Sequence, residues 1–266
     1  MAFVINFPVI DPVLIELGPL TIRWYALAYI FGILIGWHLI RKMAQEPPIL
    51  AEPEVIDDFL TWVAIGIIVG GRLGYVIFYN YSYYIENLEN IFAIWKGGMS
   101  FHGGFLGVCI AAILYCLKHK LNIWRFGDLI CVVAPIGLFF GRIANFINGE
   151  LFGRPTLMPW GVVFPRGGNL PRHPSQIYEA IFEGLLLFFL LWILSRREFV
   201  IKRPGLLIGL FCLLYGAARA AIEVFREPDI QIGYLGFNTL TMGQLLSIPM
   251  VLSGIWLIRR ALTAGK

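Results

Sequence analysis

Seven apolar runs, separated by polar or proline-rich connections, set the pattern of this chain. They fall at approximately 20–40, 57–79, 99–117, 127–147, 175–195, 205–225 and 241–260. Each is long enough to cross a hydrocarbon core of about 30 Å, which takes roughly 20 residues of helix. The pattern predicts an all-α polytopic membrane protein with seven transmembrane helices. The first 19 residues hold Pro8 and Pro12 but no Lys or Arg. They lack the basic start of a cleaved signal peptide and read as mature chain lying in the interface. Gly66, Gly70, Gly71 and Gly74 in the second run have the spacing that lets membrane helices approach closely.

Charge orients the spans. The connections after spans 1, 3 and 5 and the C-terminal tail carry Arg41, Lys42, Lys118, Lys120, Arg125, Arg196, Arg197, Lys202, Arg203, Arg259, Arg260 and Lys266. The opposite side has Arg23, Lys96, Arg154, Arg166, Arg172 and Arg226, spread over longer connections. The positive-inside rule puts the N-terminus outside and the C-terminus in the cytoplasm. The long outer connections, 80–98 and 148–174, are rich in Gly, Pro and aromatics. The second, with Pro155, Pro159, Pro165, Pro171 and Pro174, cannot be one helix. With no repeat and no linker, residues 1–266 read as a single transmembrane domain.

Composition narrows the class. Of 266 residues, 58% are hydrophobic and 14% charged, against about a quarter charged in soluble domains. Mean hydropathy is +0.75. The net charge of +4 comes from short clusters between the runs, so no nucleic-acid partner is expected. Cys109, Cys116, Cys131 and Cys212 lie inside apolar runs without CxxC spacing and read as small hydrophobes. The four histidines are scattered, and neither HExxH nor GxSxG occurs, so no metal is expected.

Against this background the run G-R-I-A-N-F-I-N-G-E-L-F-G at 141–153 stands out. It closes an apolar span yet carries Arg142, Asn145, Asn148 and Glu150, which inside a membrane must pair or face a wet cavity. Other polar residues join it once the spans are oriented. Arg72 falls in the outer half of span 2, and Tyr215, Arg219 and Glu223 lie on one stripe of span 6. Tyr25, His102 and the set Gln176, Glu179 and Glu183 open spans 1, 3 and 5. All converge on the outer leaflet, which predicts one polar cavity there.

Arginine forks suit phosphate, and the glycine pairs at 97–98 and 103–104 flank His102 at a helix start that favours anions. The cavity therefore fits a phospholipid head group. Structural alternatives exist for each residue: Arg72 paired with Glu179 or Glu183, Glu223 orienting Arg219, Asn145 joining helices, Tyr25 as an interfacial belt residue, and Ser175 capping span 5.

The 141–153 run resembles the signature of bacterial phosphatidylglycerol–prolipoprotein diacylglyceryl transferases. So do R-W-Y-A-L at 23–27, S-F-H-G-G at 100–104, R-H-P-S-Q-I-Y-E at 172–179 and the R-x-x-x-E of span 6. The resemblance implies transfer of a diacylglyceryl group from phosphatidylglycerol to the lipobox cysteine thiol of a prolipoprotein signal peptide. A thioether forms and glycerol 1-phosphate leaves, with no cofactor, in the bacterial inner membrane. It marks Tyr25, His102, Arg142, Asn145, Glu150, Gly153 and Arg219 as functional, with Tyr215 and Glu223 in support.

Combined with the residue chemistry, this gives Arg142 and Arg219 as a phosphate clamp. Asn145 and the Gly103 and Gly104 backbone add hydrogen bonds, and His102 is the expected base. The segment 148–174 is expected to be a mobile gate. The competing class is a phospholipid-binding or lipid-transport protein without covalent chemistry, although a transporter needs polar groups in the inner halves too, and these are nearly all apolar.

Overall fold

The computed structural model describes residues 5–8, 10–17, 20–228 and 240–264. Lys266, much of the chain start and the side chain of Lys96 lie outside the described residues. The strands are β1 (Ile5–Asn6), β2 (Val13–Leu17), β3 (Leu20–Arg23) and β4 (Val162–Val163). The helices are α1 (Trp24–Gln45), α2 (Pro53–Phe78), α3 (Tyr81–Glu86), α4 (Phe101–His119), α5 (Ile123–Ile147), α6 (Ser175–Ser195), α7 (Glu198–Ile201), α8 (Leu206–Ile222) and α9 (Met242–Ala264). Six of these, α1, α2, α4, α5, α6 and α9, are long and apolar enough to cross a membrane. The seventh expected span corresponds to α8, an apolar helix of 17 residues.

The first span starts later than its hydrophobicity suggests. Leu20–Arg23 pairs antiparallel with Val13–Leu17, matching Val13 to Arg23 and Leu17 to Leu20. β-Branched residues (Val13, Ile15, Thr21, Ile22) on either side of Gly18–Pro19 favour a hairpin. The helix begins at Trp24, whose N–H donates to Pro12 O at 3.2 Å.

The chain forms two compact units, Met1–Gly36 with Asp128–Lys266, and Trp37–Gly127. In the second unit, α2 and α4 meet backbone to backbone. A Cβ on Gly70 would lie 2.3 Å from Gly103 O, and one on Gly66 would lie 2.7 Å from Gly107 O. Only glycine permits this approach, as the spacing of Gly66, Gly70 and Gly74 predicts. The 80–98 segment, built from α3 and two short 3₁₀ turns, folds around Arg72. That guanidinium donates to the carbonyls of Asn90 (2.6 Å), Ile91 (2.8 Å), Ala93 (3.2 Å) and Gly98 (3.1 Å) and to Gly97 O, with Tyr84 5.1 Å from it. Gly97 and Gly98 have φ of +82° and +81°, a backbone that presents both carbonyls and favours glycine.

In the first unit, Gly32 of α1 faces Gly137 of α5, and Gly254 of α9 packs on the backbone of Leu213 in α8. Asp128 anchors the start of α8, accepting from Gly205 N (2.7 Å) and Ile208 N (2.9 Å), where the free amides of a helix N-terminus favour a carboxylate. The 148–174 segment is tied down by backbone bonds. Gly153 N donates to His173 O, Arg154 N to Phe225 O, Thr156 N to Pro171 O, and Val162 and Arg172 exchange bonds at 2.8–2.9 Å. β4 pairs in parallel with β1. A gate in this segment would thus have to be a tip such as 157–159, because moving the whole would break these bonds and that from Trp160 Nε1 to the Tyr178 hydroxyl at 2.7 Å.

Candidate active site

The site grows from the end of α5. Arg142 and Asn145 lie on its last turns, and the chain then reverses through Gly149 (φ +61°) and Leu151 (φ +57°). Leu151 is a bulky side chain in the left-handed region, a strain of about 1–2 kcal/mol that must be held by its surroundings. What holds it is visible: Ser175 Oγ donates to Leu151 O (3.1 Å) and Gln176 Nε2 to Glu150 O (2.6 Å). Ser175 is therefore not the N-cap expected of it; its hydroxyl donates across to the loop. The reversal returns Glu150 toward the helix end, where one carboxylate oxygen accepts from Asn145 Nδ2 (2.9 Å) and Asn148 Nδ2 (3.0 Å).

Beside this lies an ion network. Glu179 of α6 is wholly buried and bridges both arginines, Oε2 to Arg142 Nε at 2.9 Å and Oε1 to Arg219 Nη1 at 2.6 Å. Glu183, also wholly buried, is 3.7 Å from Arg142 Nη2 and 3.7 Å from Arg219 Nη1. Glu223 pairs with Arg219 Nη2 at 2.8 Å, orienting it as expected, and Arg226 lies 4.0 Å from Glu223. Immediately after Glu179, α6 runs as a π-helix from Ala180 to Leu186, a distortion that recurs at functional sites. Gly184 permits it to pack here, because a Cβ there would lie 2.7 Å from Phe139 Cβ. Tyr215 is within electrostatic reach of Arg142, Arg219, Glu179 and Glu183, and Tyr25 of Arg142 and Glu150. Tyr25 is also 38% exposed, with its hydroxyl 3.1 Å from that of Tyr29.

Several sequence expectations change. Arg72 does not pair with Glu179 or Glu183: backbone carbonyls occupy its guanidinium, and those glutamates serve Arg142 and Arg219. The Gly103 and Gly104 amides expected to face phosphate are engaged by the helix cap, donating to Ser100 Oγ (3.2 Å) and Ser100 O (2.9 Å), and both glycines are buried. Gly153 has no room for ligand on its Cα, since a Cβ would lie 2.5 Å from Phe225 O and 2.7 Å from His173 Cβ. Its part is to let three chain segments meet. Glu150 accepts from two asparagines, Asn145 and Asn148. His102 sits in the first turn of α4, in the second unit, exposed and edge-on to Phe101 at 5.7 Å.

Sequence reasoning missed the shared use of Glu179, the placement of Gln176, and Arg226. Beside the site, His173 contacts the Tyr178 hydroxyl through Nδ1 at 3.1 Å. Burial holds its pKa below the usual value near 6.5.

Comparison with known proteins matches residues 12–260 to the family model described as prolipoprotein diacylglyceryl transferase. The chain is 55% identical over 258 residues to a protein of Rhodospirillum rubrum, covering 96% of this chain and 93% of that one. It is 54% identical over 259 residues to one of Azospirillum brasilense (97% and 96% covered), and 52% over 256 residues to one of Nitratidesulfovibrio vulgaris (96% and 96%). All three relatives are named phosphatidylglycerol–prolipoprotein diacylglyceryl transferase.

Proposed function

Because this chain belongs to the prolipoprotein diacylglyceryl transferase family, we propose that its paired arginines hold the phosphate of the lipid it consumes. The protein is an enzyme that moves a diacylglyceryl group from phosphatidylglycerol to prolipoproteins during lipoprotein maturation. That activity removes the reading of a lipid carrier without covalent chemistry. The acceptor is the lipobox cysteine. Its thiolate attacks the glycerol carbon that bears the phosphate ester, a C–S bond forms, and the C–O bond breaks with its electron pair going to phosphate oxygen. Glycerol 1-phosphate departs and the thiol proton passes to a base.

The observation that carries the site assignment is the bridging of Arg142 and Arg219 by the buried Glu179. One carboxylate fixes two guanidiniums that cannot lose their charge, so both are preset for developing negative charge on the leaving phosphate. Asn145 and Glu150 line the approach, with Tyr25 and Tyr215 as hydrogen-bonding groups. Glu223 sets the Arg219 fork. His102, an exposed imidazole in the first turn of α4, is the base we assign, on the chemistry of its side chain alone. Arg72, Gly103, Gly104 and Gly153 act through the fold rather than on substrate.

The whole chain is one catalytic membrane domain of seven crossings, with α8 as the sixth in order. It lies in the bacterial inner membrane with the site toward the periplasmic leaflet, where one substrate arrives laterally as lipid and the other as a signal-peptide helix. The test is transfer of labelled diacylglyceryl to a lipobox peptide by the purified protein. Label should reach the peptide with Cys, not Ser, at the acceptor position, with equimolar glycerol phosphate released. Transfer to the Ser peptide would refute the thiol step, and a full rate in His102→Gln would remove that residue as base.

A further inference from the structure

Glu179 and Glu183 stand one turn apart on α6, both fully buried, but they are not equivalent. Glu179 accepts a hydrogen bond from Arg219 at 2.6 Å and pairs closely with Arg142 at 2.9 Å. Glu183 lies 3.7 Å from each arginine, and neither of its oxygens has a hydrogen-bond partner among the described residues. It supplies charge without a bond. Nor can it swing to solvent easily: it sits inside the π-helical stretch, next to Gly184, which is pressed against Phe139.

Among the described residues the ion-paired groups of this network balance, with Arg142, Arg219 and Arg226 against Glu179, Glu183 and Glu223. On the reading that Arg142 and Arg219 take the lipid phosphate, an arriving phosphodiester brings a fourth negative charge to three positive ones. In a poorly solvated place that excess is costly and is relieved by protonating a carboxylate. The carboxylate with least to lose is the one that accepts no hydrogen bond, and once protonated it gains an O–H donor. The groups facing it are Arg142 from α5, Arg219 and Tyr215 from α8, Arg226 beyond α8, and Glu179 on its own helix.

We propose that Glu183 is the proton-coupling residue of head-group binding: it takes up one proton from solution when the phosphodiester enters and returns it when the glycerol phosphate leaves. No bond other than O–H is made or broken by this residue, and its own proton balance over a full turnover is zero, the thiol proton being handled separately by the base. The arginines are thereby freed to turn from carboxylate to phosphate without leaving net charge buried.

The experiment uses full-length protein in zwitterionic nanodiscs titrated with short-chain phosphatidylglycerol. Wild-type affinity should weaken as pH rises, by up to about tenfold per unit for one linked proton. Titration in weak buffer should show about one proton taken up per lipid bound. In Glu183→Gln, a near-isosteric mimic of the protonated acid, uptake and pH slope should vanish, and alkaline affinity should exceed that of wild type. Weakened binding at every pH with the slope intact would mean a merely structural carboxylate and overturn the proposal. Wild-type binding without proton uptake, yet lost in Arg142→Ala, would overturn it while leaving the phosphate assignment in place. Unchanged affinity in both Arg142→Ala and Arg219→Ala would remove the phosphate assignment and this proposal with it.

Discussion

Replacing Glu179 by Gln separates the two buried glutamates most sharply. The carboxylate accepts a hydrogen bond from Arg219 at 2.6 Å and forms an ion pair with Arg142 at 2.9 Å. A carboxamide keeps one acceptor but turns an NH₂ toward the other guanidinium, donor against donor. Losing one charged hydrogen bond costs about 1.5–3 kcal/mol, and a buried charge stripped of its partner up to about 3–5 kcal/mol. Because Glu183 still lies 3.7 Å from both arginines, the lower end applies, about 3 kcal/mol. If this falls on the clamp, kcat/KM drops by roughly 100-fold. Glu183→Gln has no hydrogen bond to lose and should stay within about tenfold at neutral pH. The assay is kcat/KM for diacylglyceryl transfer, corrected for folded protein by size-exclusion profile in detergent. A Glu183→Gln loss equal to or larger than that of Glu179→Gln would refute the assignment of Glu179 as the bridge.

Three further outcomes are expected. Gly70→Ala places a Cβ 2.3 Å from Gly103 O, so α2 and α4 must separate, costing about 1–3 kcal/mol; a lowered thermal midpoint in detergent checks this. Arg72→Lys replaces a planar five-donor fork with three donors, so carbonyls of the 80–98 segment lose partners, and faster proteolysis of that segment reports it. His173, held neutral by burial, binds a proton more readily when unfolded. Its contribution to stability is thus full above about pH 6.5 and is lost as pH falls below that toward its lowered folded value. His173→Asn should flatten that part of the stability profile, and an unchanged slope would contradict the assignment.

How much of this was legible in the sequence depended on what carries the information. Hydrophobic length located six helices long and apolar enough to cross a membrane and the shorter apolar α8, because apolar helix is written residue by residue. It failed at Leu20–Arg23, where an apolar strand and the start of an apolar helix look alike and only the preceding Gly18–Pro19 marks a hairpin. The Gly66, Gly70 and Gly74 spacing was readable because close helix contact demands small residues at fixed intervals. The arginine partners were not. Arg72 is satisfied by carbonyls, which every residue possesses, so no side chain announces the contact. The sharing of Glu179 by Arg142 and Arg219 depends on the rotation of three helices about their axes, including a π-helical stretch that composition does not encode. The Arg219 and Glu223 pair was readable, since it lies within one helix at a spacing of four.

The most direct test of the phosphate clamp compares Arg142→Ala, Arg219→Ala and wild-type protein in equilibrium binding of phosphatidylglycerol and in single-turnover transfer to a lipobox peptide. The account predicts that each substitution weakens lipid binding and slows the chemical step, with the double variant no worse than about the larger single loss, because the two forks act as one unit. Normal binding and normal single-turnover rate in either variant would contradict it.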